Sequence, residues 1–299
     1  MDIAVTGASG LIGRALTAAL VADGHRVVPL VRRSPRPGED AITWDPTAGT
    51  IDAASLEGIG AVVHLAGEGI AERRWTPEQK IRILNSRVDG TTLLSTTLAG
   101  LNRKPSVFLS GSAIGFYGDR GDEELTEQSS PGDIFLSEVC EAWERATAPA
   151  EAAGIRVVHL RTGIVLDPSG GALAKTLPLF KMGLGGRLGS GRQWWSWISI
   201  ADEVGAIRFL LDHDLHGPVN LTAPHPVTNA EFTKVLGKVL GRPTVLPVPA
   251  FGPKLLLGAE LAQQLLFTSA RVLPSALADA GYAFATPDLE GALRAELVR

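Results

Sequence analysis

The segment Val5-Thr6-Gly7-Ala8-Ser9-Gly10-Leu11-Ile12-Gly13 carries three glycines at a G-x-x-G-x-x-G spacing, between a β-branched run and an apolar helical pattern. The chemistry this spacing suits is diphosphate binding. Gly7 permits a tight strand-to-helix turn, Gly10 lets backbone approach a pyrophosphate, and Gly13 lets helix and strand pack closely. From Ser9 through Leu11 and Ile12, backbone N–H groups then face an anion at the positive end of the helix dipole. The next strand ends in Val31-Arg32-Arg33. A site for NAD usually has an acidic residue there to bond the ribose 2′-hydroxyl, whereas two guanidiniums suit a 2′-phosphate. The expected cofactor is NADP(H).

Such a loop needs alternating strands and helices to hold it, and the first 160 or so residues supply that rhythm. Ile3-Ala4-Val5 precedes a helix over Leu11 to Ala22, with Gly24 as its left-handed cap, and Arg26 to Val31 reads as the next strand. Ala61 to Leu65, a long helix over Pro77 to Leu98, and Val107 to Leu109 follow. A helix over Leu136 to Ala153 then leads to a strand over Ile155 to Leu160. Strands apolar throughout are buried on both faces, which parallel sheets require. The expected fold class is α/β: a Rossmann-type doubly wound parallel sheet with a smaller C-terminal substrate lobe. We place the NADP-binding domain at 1–165, with later elements interleaved to about 220, and the lobe at 166–299. In the second half, Ala172 to Lys181 and Asn229 to Leu240 read as helices, Pro218 to Leu221 as a strand, and Pro247 onward as short helical pieces.

Composition narrows the alternatives. Of 299 residues, 45% are hydrophobic and 20% charged, with 28 Lys+Arg against 32 Asp+Glu for a net −4. A balance so near neutral argues against nucleic acid or an anionic membrane as partner. The one cysteine, Cys140, cannot close an intramolecular disulfide or build a Cys-rich zinc site, and the six histidines show no ligand spacing, so no metal is expected. No run approaches the roughly 18 apolar residues of a membrane span. A cytoplasmic monomer or homodimer acting on a small molecule is expected.

Thr6 to Gly13, His64-Leu65-Ala66-Gly67 and Ser110-Gly-Ser-Ala-Ile-Gly-Phe-Tyr-Gly118 together resemble an extended short-chain dehydrogenase/reductase. Arg73-Arg74-Trp75, Asn85-Ser86-Arg87, Trp143-Glu144, Arg161 to Leu166, Gly183 to Gly186 and Gly189 to Gln193 narrow this to its epimerase-like subfamily, similar to sugar-nucleotide epimerases. That subfamily ends in a domain of unknown function, matching about 247–297. The resemblance implies that Leu65, Ala66 and Gly67 line the adenosine, that Arg87 reaches the cofactor, and that Val165 lies at the nicotinamide end. Arg82 shares the stretch of Arg87 but stands where some relatives have an acid. On physical grounds, a basic residue near a helix end can neutralise a pyrophosphate. Arg161 is expected to support the nicotinamide end and the substrate, and Arg192 to contact a nucleotide-sugar phosphate.

Proton transfer is the difficulty. The superfamily uses a Tyr-x-x-x-Lys pair on one helix face. Here those positions fall at about Ile134 and Glu138. Three residues are candidate substitutes: Ser112 at the fifth strand's end (with Ser110 before it), Tyr117 just beyond, and Glu138 if burial raises its pKa. Trp194, Trp195 and Trp197 form either a stacking wall or a packed hairpin, and Asp202 opens a helix. Two functions remain open: an NADP(H)-dependent oxidoreductase or epimerase acting on a small polar metabolite such as a nucleotide sugar, and a catalytically decayed NADP(H) sensor.

Overall fold

A computed structural model describes residues 1–298. The first half runs β1 (Asp2–Thr6), α1 (Leu11–Ala22), β2 (Arg26–Val31), β3 (Ile42–Asp45), β4 (Thr50–Ile51), β5 (Ala61–His64), α2 (Pro77–Gly100), β6 (Val107–Ala113), β7 (Glu124–Leu125), α3 (Phe135–Arg145), α4 (Ala148–Ala152) and β8 (Arg156–Thr162). The second half runs β9 (Ile164–Leu166), α5 (Gly171–Lys181), β10 (Trp194–Trp195), β11 (Trp197–Ser199), α6 (Ile200–Asp212), β12 (Gly217–Leu221), β13 (Val227–Thr228) and α7 (Asn229–Leu240). It closes with α8 (Phe251–Leu257), α9 (Ala259–Ala262), β14 (Arg271–Val272), α10 (Ser275–Asp279) and α11 (Leu289–Leu297).

The main sheet has the order β12-β8-β6-β5-β1-β2-β3-β4, parallel throughout except for the short edge strand β4. The side-chain period of two divides each central strand between two cores. Ile3 and Val5 of β1 pack with Leu16, Leu20 and Ile207 under α1 and α6, while Ala4 packs with Leu94 and Leu98 of α2 on the opposite face. Strand order reverses between β1 and β5, which opens a crevice at the carboxyl edge, where ligands bind in such sheets.

Two departures from the sequence expectation have simple causes. The helix expected over Leu136 to Ala153 splits at Ala146–Thr147, because Pro149 lacks the N–H that would continue the ladder and suits a fresh first turn. Strand β3, short and followed by a turn, joins the edge beside β2 and carries too few residues to read as a strand alone. The later chain interleaves with the first domain, since α6 packs on α1 and β12 pairs with β8. A smaller core gathers Leu173, Leu177, Trp197, Phe232, Leu236 and Leu293 from α5, β11, α7 and α11. Among the described residues, no helix is long and apolar enough to cross a membrane.

Candidate functional site

The glycine loop sits at the crevice. Gly7 has φ +66°, and a Cβ there would lie 2.8 Å from the Leu65 carbonyl carbon; a Cβ on Gly13 would collide with the Gly7 carbonyl oxygen. Gly10 differs. Its Cβ position meets only the Gly7 oxygen, at 3.2 Å, and otherwise opens outward. Gly10 is also the N-cap of α1, with no side-chain cap and no acid in the first turn. Thr76, Ser199, Thr228 and Asp288 cap α2, α6, α7 and α11, whereas α3 and α5, like α1, have no side-chain cap. Among the described residues no side chain satisfies the N–H groups of Leu11, Ile12 and Gly13, and a Cβ on Gly10 would enter the space before them. That cradle fits a diphosphate. The Leu11 side chain abuts Gly170 and Gly171 at the start of α5, and half-buried Val165 precedes that turn.

Behind the loop, a buried relay sets the end of β5. The Thr6 hydroxyl oxygen accepts the N–H groups of Leu65 (3.0 Å) and Ala66 (3.1 Å), so its own proton goes to His64 Nδ1 at 2.7 Å. His64 is then left with a proton on Nε2, which donates to Thr91 Oγ1 at 3.0 Å. Burial, with the nearby Arg87 charge, pushes the His64 pKa down to about 3, so the ring is neutral. Sequence reading missed this relay; its signal was a polar residue closing an otherwise apolar strand.

The four arginines expected at the cofactor have different surroundings. Arg32 is exposed and has no partner among the described residues. Arg33 is held through both terminal nitrogens by the Glu39 carboxylate, which this contact lowers to about 2. Arg82 is exposed and donates to Gln79. Arg87 lies in the middle of α2, not near an end, so the helix dipole cannot be its reason. Its Nη1 donates to the carbonyls of Glu68 (3.0 Å) and Ile83 (3.1 Å), and its guanidinium carbon stands 4.9 Å from the Trp143 ring centroid and against Gly67.

At the ends of β6 and β8 a closed network takes up most of the expected chemistry. Glu144 of α3 accepts Ser112 Oγ at 2.7 Å, Arg161 Nε at 2.8 Å and Arg161 Nη2 at 2.8 Å. Arg161 Nη1 donates to the Tyr117 hydroxyl at 3.0 Å, which in turn donates to Asn220 Oδ1 at 2.6 Å. Arg161 also stacks 3.4 Å from the Phe116 ring centroid and is only 3% exposed. The expectation that Arg161 contacts substrate is corrected: its fork is filled by Glu144. Tyr117 is corrected likewise, being 0% exposed, with burial pushing its pKa up to about 12. Ser110 and Ser112 are buried, and the Ser112 proton is directed to Glu144. Glu138 is exposed on α3, without the burial its candidacy required. Glu144 itself was missed, because spacing does not reveal that a helix carboxylate faces inward across two strand ends.

The second half closes over this edge. Arg192 is exposed, with no carboxylate partner among the described residues. The tryptophans are packing residues and form no hairpin with one another. Trp194 donates to Asp122 and lies under Arg271, Trp195 packs on Phe232, and Trp197 is buried beside β9. Ser199 caps α6, while the Asp202 carboxylate accepts the N–H groups of Ala285 and Thr286, fastening the C-terminal tail. Arg74 donates to the Leu256 carbonyl, Lys80 pairs with Glu260 at 2.7 Å, Gln264 accepts the Leu136 N–H, and Gln193 donates to Leu266. Residues 256–266 thus bridge the crevice from α2 and α3 to the loop before β10. On α6, Glu203 is fully buried, with one oxygen accepting from Thr162 Oγ1 at 2.9 Å and the other without a partner among the described residues, and burial pushes its pKa up to about 8. Among the described residues, no group of three His, Cys, Asp or Glu could hold a metal.

A glycine cradle at the strand-order reversal of a parallel sheet, under a bridging C-terminal lobe, defines a dinucleotide-binding α/β protein. The chain belongs to the NAD dependent epimerase/dehydratase family, whose model matches residues 3–221, and a domain of unknown function (DUF1731) matches residues 248–296. An epimerase family protein of Mycobacterium bovis is 46% identical over 283 residues, 94% of this chain and 93% of that one. The crystal structure of the human epimerase family protein SDR39U1 with NADPH superposes at a TM-score of 0.91, with 34% identity over 99% of both chains. A nucleoside-diphosphate sugar epimerase from Corynebacterium glutamicum superposes at 0.80 with 40% identity, covering 99% of this chain and 58% of that one.

Proposed function

We propose that this chain binds NADP(H) and acts as an oxidoreductase or epimerase on a small polar metabolite, with a nucleotide sugar as the leading class. The observation that carries the cofactor reading is the uncapped start of α1, whose N–H groups meet no side chain and whose Gly10 leaves the approach open. Gly7, Ser9, Gly10, Leu11 and Ile12 would hold the diphosphate, with Gly13 closing the loop from behind. Leu65, Ala66 and Gly67 would line the adenosine, and Arg87 and Val165 the nicotinamide half. Arg32, which has no competing carboxylate, would take the 2′-phosphate. The NADPH in the human relative supports this reading. When bound, the nicotinamide supplies a hydride donor or acceptor. The chain's own part is to orient it and manage a proton. With its proton held by Glu144, Ser112 would offer a lone pair to a substrate hydroxyl, and Arg192 would meet an anionic group of the substrate.

Titration with NADPH and NADH tests the reading. NADPH should bind more tightly, and Arg32→Ala should remove roughly ten- to a hundredfold of that preference, the value of a charge-assisted hydrogen bond at about 1.5–3 kcal/mol. Equal affinities in the unmodified protein would reject it. A sensor that binds NADP(H) without turnover is favoured by one observation, that both hydroxyls near the strand ends are already committed. Failure of any carbonyl metabolite to oxidise bound NADPH, with Ser112→Ala leaving affinity unchanged, would select that second reading.

A further inference from the structure

Residues 168–201 and 242–259 contain no aspartate or glutamate, yet they carry six cations in a chain of net charge −4. The two segments meet at residues 183–189 and 243–248. Leu188 bridges to Val248, the Val248 N–H donates to the Arg187 carbonyl at 2.8 Å, and Gly183 lies against the Pro243 ring. The cations are Lys175, Lys181, Arg187, Arg192, Arg242 and Lys254, and among the described residues none of them pairs with a carboxylate. Lys175 and Arg187 bond only backbone carbonyls.

The same surface collects exposed apolar side chains. Of twelve large hydrophobic residues exposed among those described, eight lie here. Leu173, Leu177 and Phe180 of α5 turn inward, while Leu179 and, just beyond the helix, Met182 and Leu184 turn outward. Val245 and Leu246 follow on the second segment, and α8 buries none of its residues, leaving Phe251, Leu255 and Leu256 outward. Scattered exposed hydrophobics are ordinary, but a concentration of them among unpaired cations marks a binding face.

We propose that this face docks on an anionic lipid bilayer surface. Charge complementarity selects the occupant. Each cation near an anionic leaflet contributes attraction, and leucine, phenylalanine and methionine side chains enter the headgroup boundary beside them. A second copy of the chain is disfavoured, because a two-fold contact would set these cations against their own counterparts. The net charge of the chain argues against an anionic surface, but docking responds to the charge of the face presented, not to the sum over the molecule. The inference stands apart from the cofactor reading, since it uses none of the residues of the glycine loop, and Arg192, offered above to the substrate, is not among the residues its test replaces.

The test is co-sedimentation of the intact protein with phosphatidylcholine vesicles, with and without about one-quarter phosphatidylglycerol. Binding to the anionic vesicles should exceed binding to neutral ones by about tenfold or more, and high salt should weaken it. Leu255→Gln/Leu256→Gln and, separately, Lys181→Gln/Arg187→Gln should each reduce binding about tenfold, with the circular dichroism of the fold unchanged because these side chains are exposed. Equal binding to both vesicle types, or none to either, would overturn the proposal. So would a dimer in sedimentation velocity that the leucine variant dissociates, which would make this a contact between copies.

Discussion

Replacing Glu144 by glutamine should destabilise the fold by about 3 kcal/mol, the lower end of what breaking a buried ion pair costs. The geometry sets that figure. Glu144 accepts three hydrogen bonds, two from a guanidinium whose side chain is only 4% exposed. Glutamine keeps an oxygen for Ser112 and Arg161 Nε, but its amide hydrogens would oppose Arg161 Nη2, donor against donor. The guanidinium charge would then remain buried without a counter-ion, left with the neutral amide oxygen, the Tyr117 hydroxyl, the Glu127 carbonyl and the Phe116 ring. Urea unfolding followed by circular dichroism reads the change as a lower midpoint at an unaltered slope. The paired replacement Glu144→Leu/Arg161→Met should recover most of the loss, because an apolar pair needs no desolvation of charge. A glutamine variant within about 1 kcal/mol of the unmodified protein, the size of an exposed pair's contribution, would refute the view that this pair organises the strand ends.

The glycines should separate by role: Gly10→Val should abolish NADPH binding in calorimetry with little change in melting temperature, whereas Gly13→Ala should lower both, since its Cβ meets the Gly7 carbonyl. Normal NADPH affinity in Gly10→Val would remove the diphosphate role from the loop. Glu203 should give a pH signature, because its folded-state pKa of about 8 lies above the ordinary 4.5. The folded protein keeps a proton that the unfolded chain releases, so this stabilisation is complete below the unfolded value and is lost as pH rises toward 8, at up to ~1.4 kcal/mol per pH unit. Glu203→Gln, which imitates the neutral acid, should therefore gain stability relative to the unmodified protein between pH 5 and pH 8; a difference that does not vary with pH would contradict the assignment. Arg33→Ala should change the NADPH-over-NADH preference less than Arg32→Ala, because Glu39 already occupies the Arg33 fork. The reverse order in the two titrations would reassign the phosphate contact.

The parallel sheet, the glycine loop and the arginines after β2 were legible in the chain because each is written locally. Continuous apolar strands, helix periodicity and a three-glycine spacing are read within about ten residues, whereas the register of β1 with its neighbours is a product of the assembled sheet. What the chain could not disclose is which way a polar side chain turns where a strand ends. Arg161 and Tyr117 stand at strand ends that a doubly wound sheet turns toward ligand, yet both face Glu144 and Asn220, which are respectively 17 residues from Arg161 and 103 from Tyr117. Trp143-Glu144 carried part of the family resemblance, but only the packing of α3 across β6 and β8 turns the Glu144 carboxylate inward to Ser112 and Arg161. The cationic apolar face is the same lesson at the surface: two segments meet through Leu188 and Val248, 60 residues apart, and only that meeting makes a patch out of charges the whole chain cancels. Local periodicity decides which elements form; the long-range packing of one element on another decides which of their polar groups are used inside and which are left for a ligand.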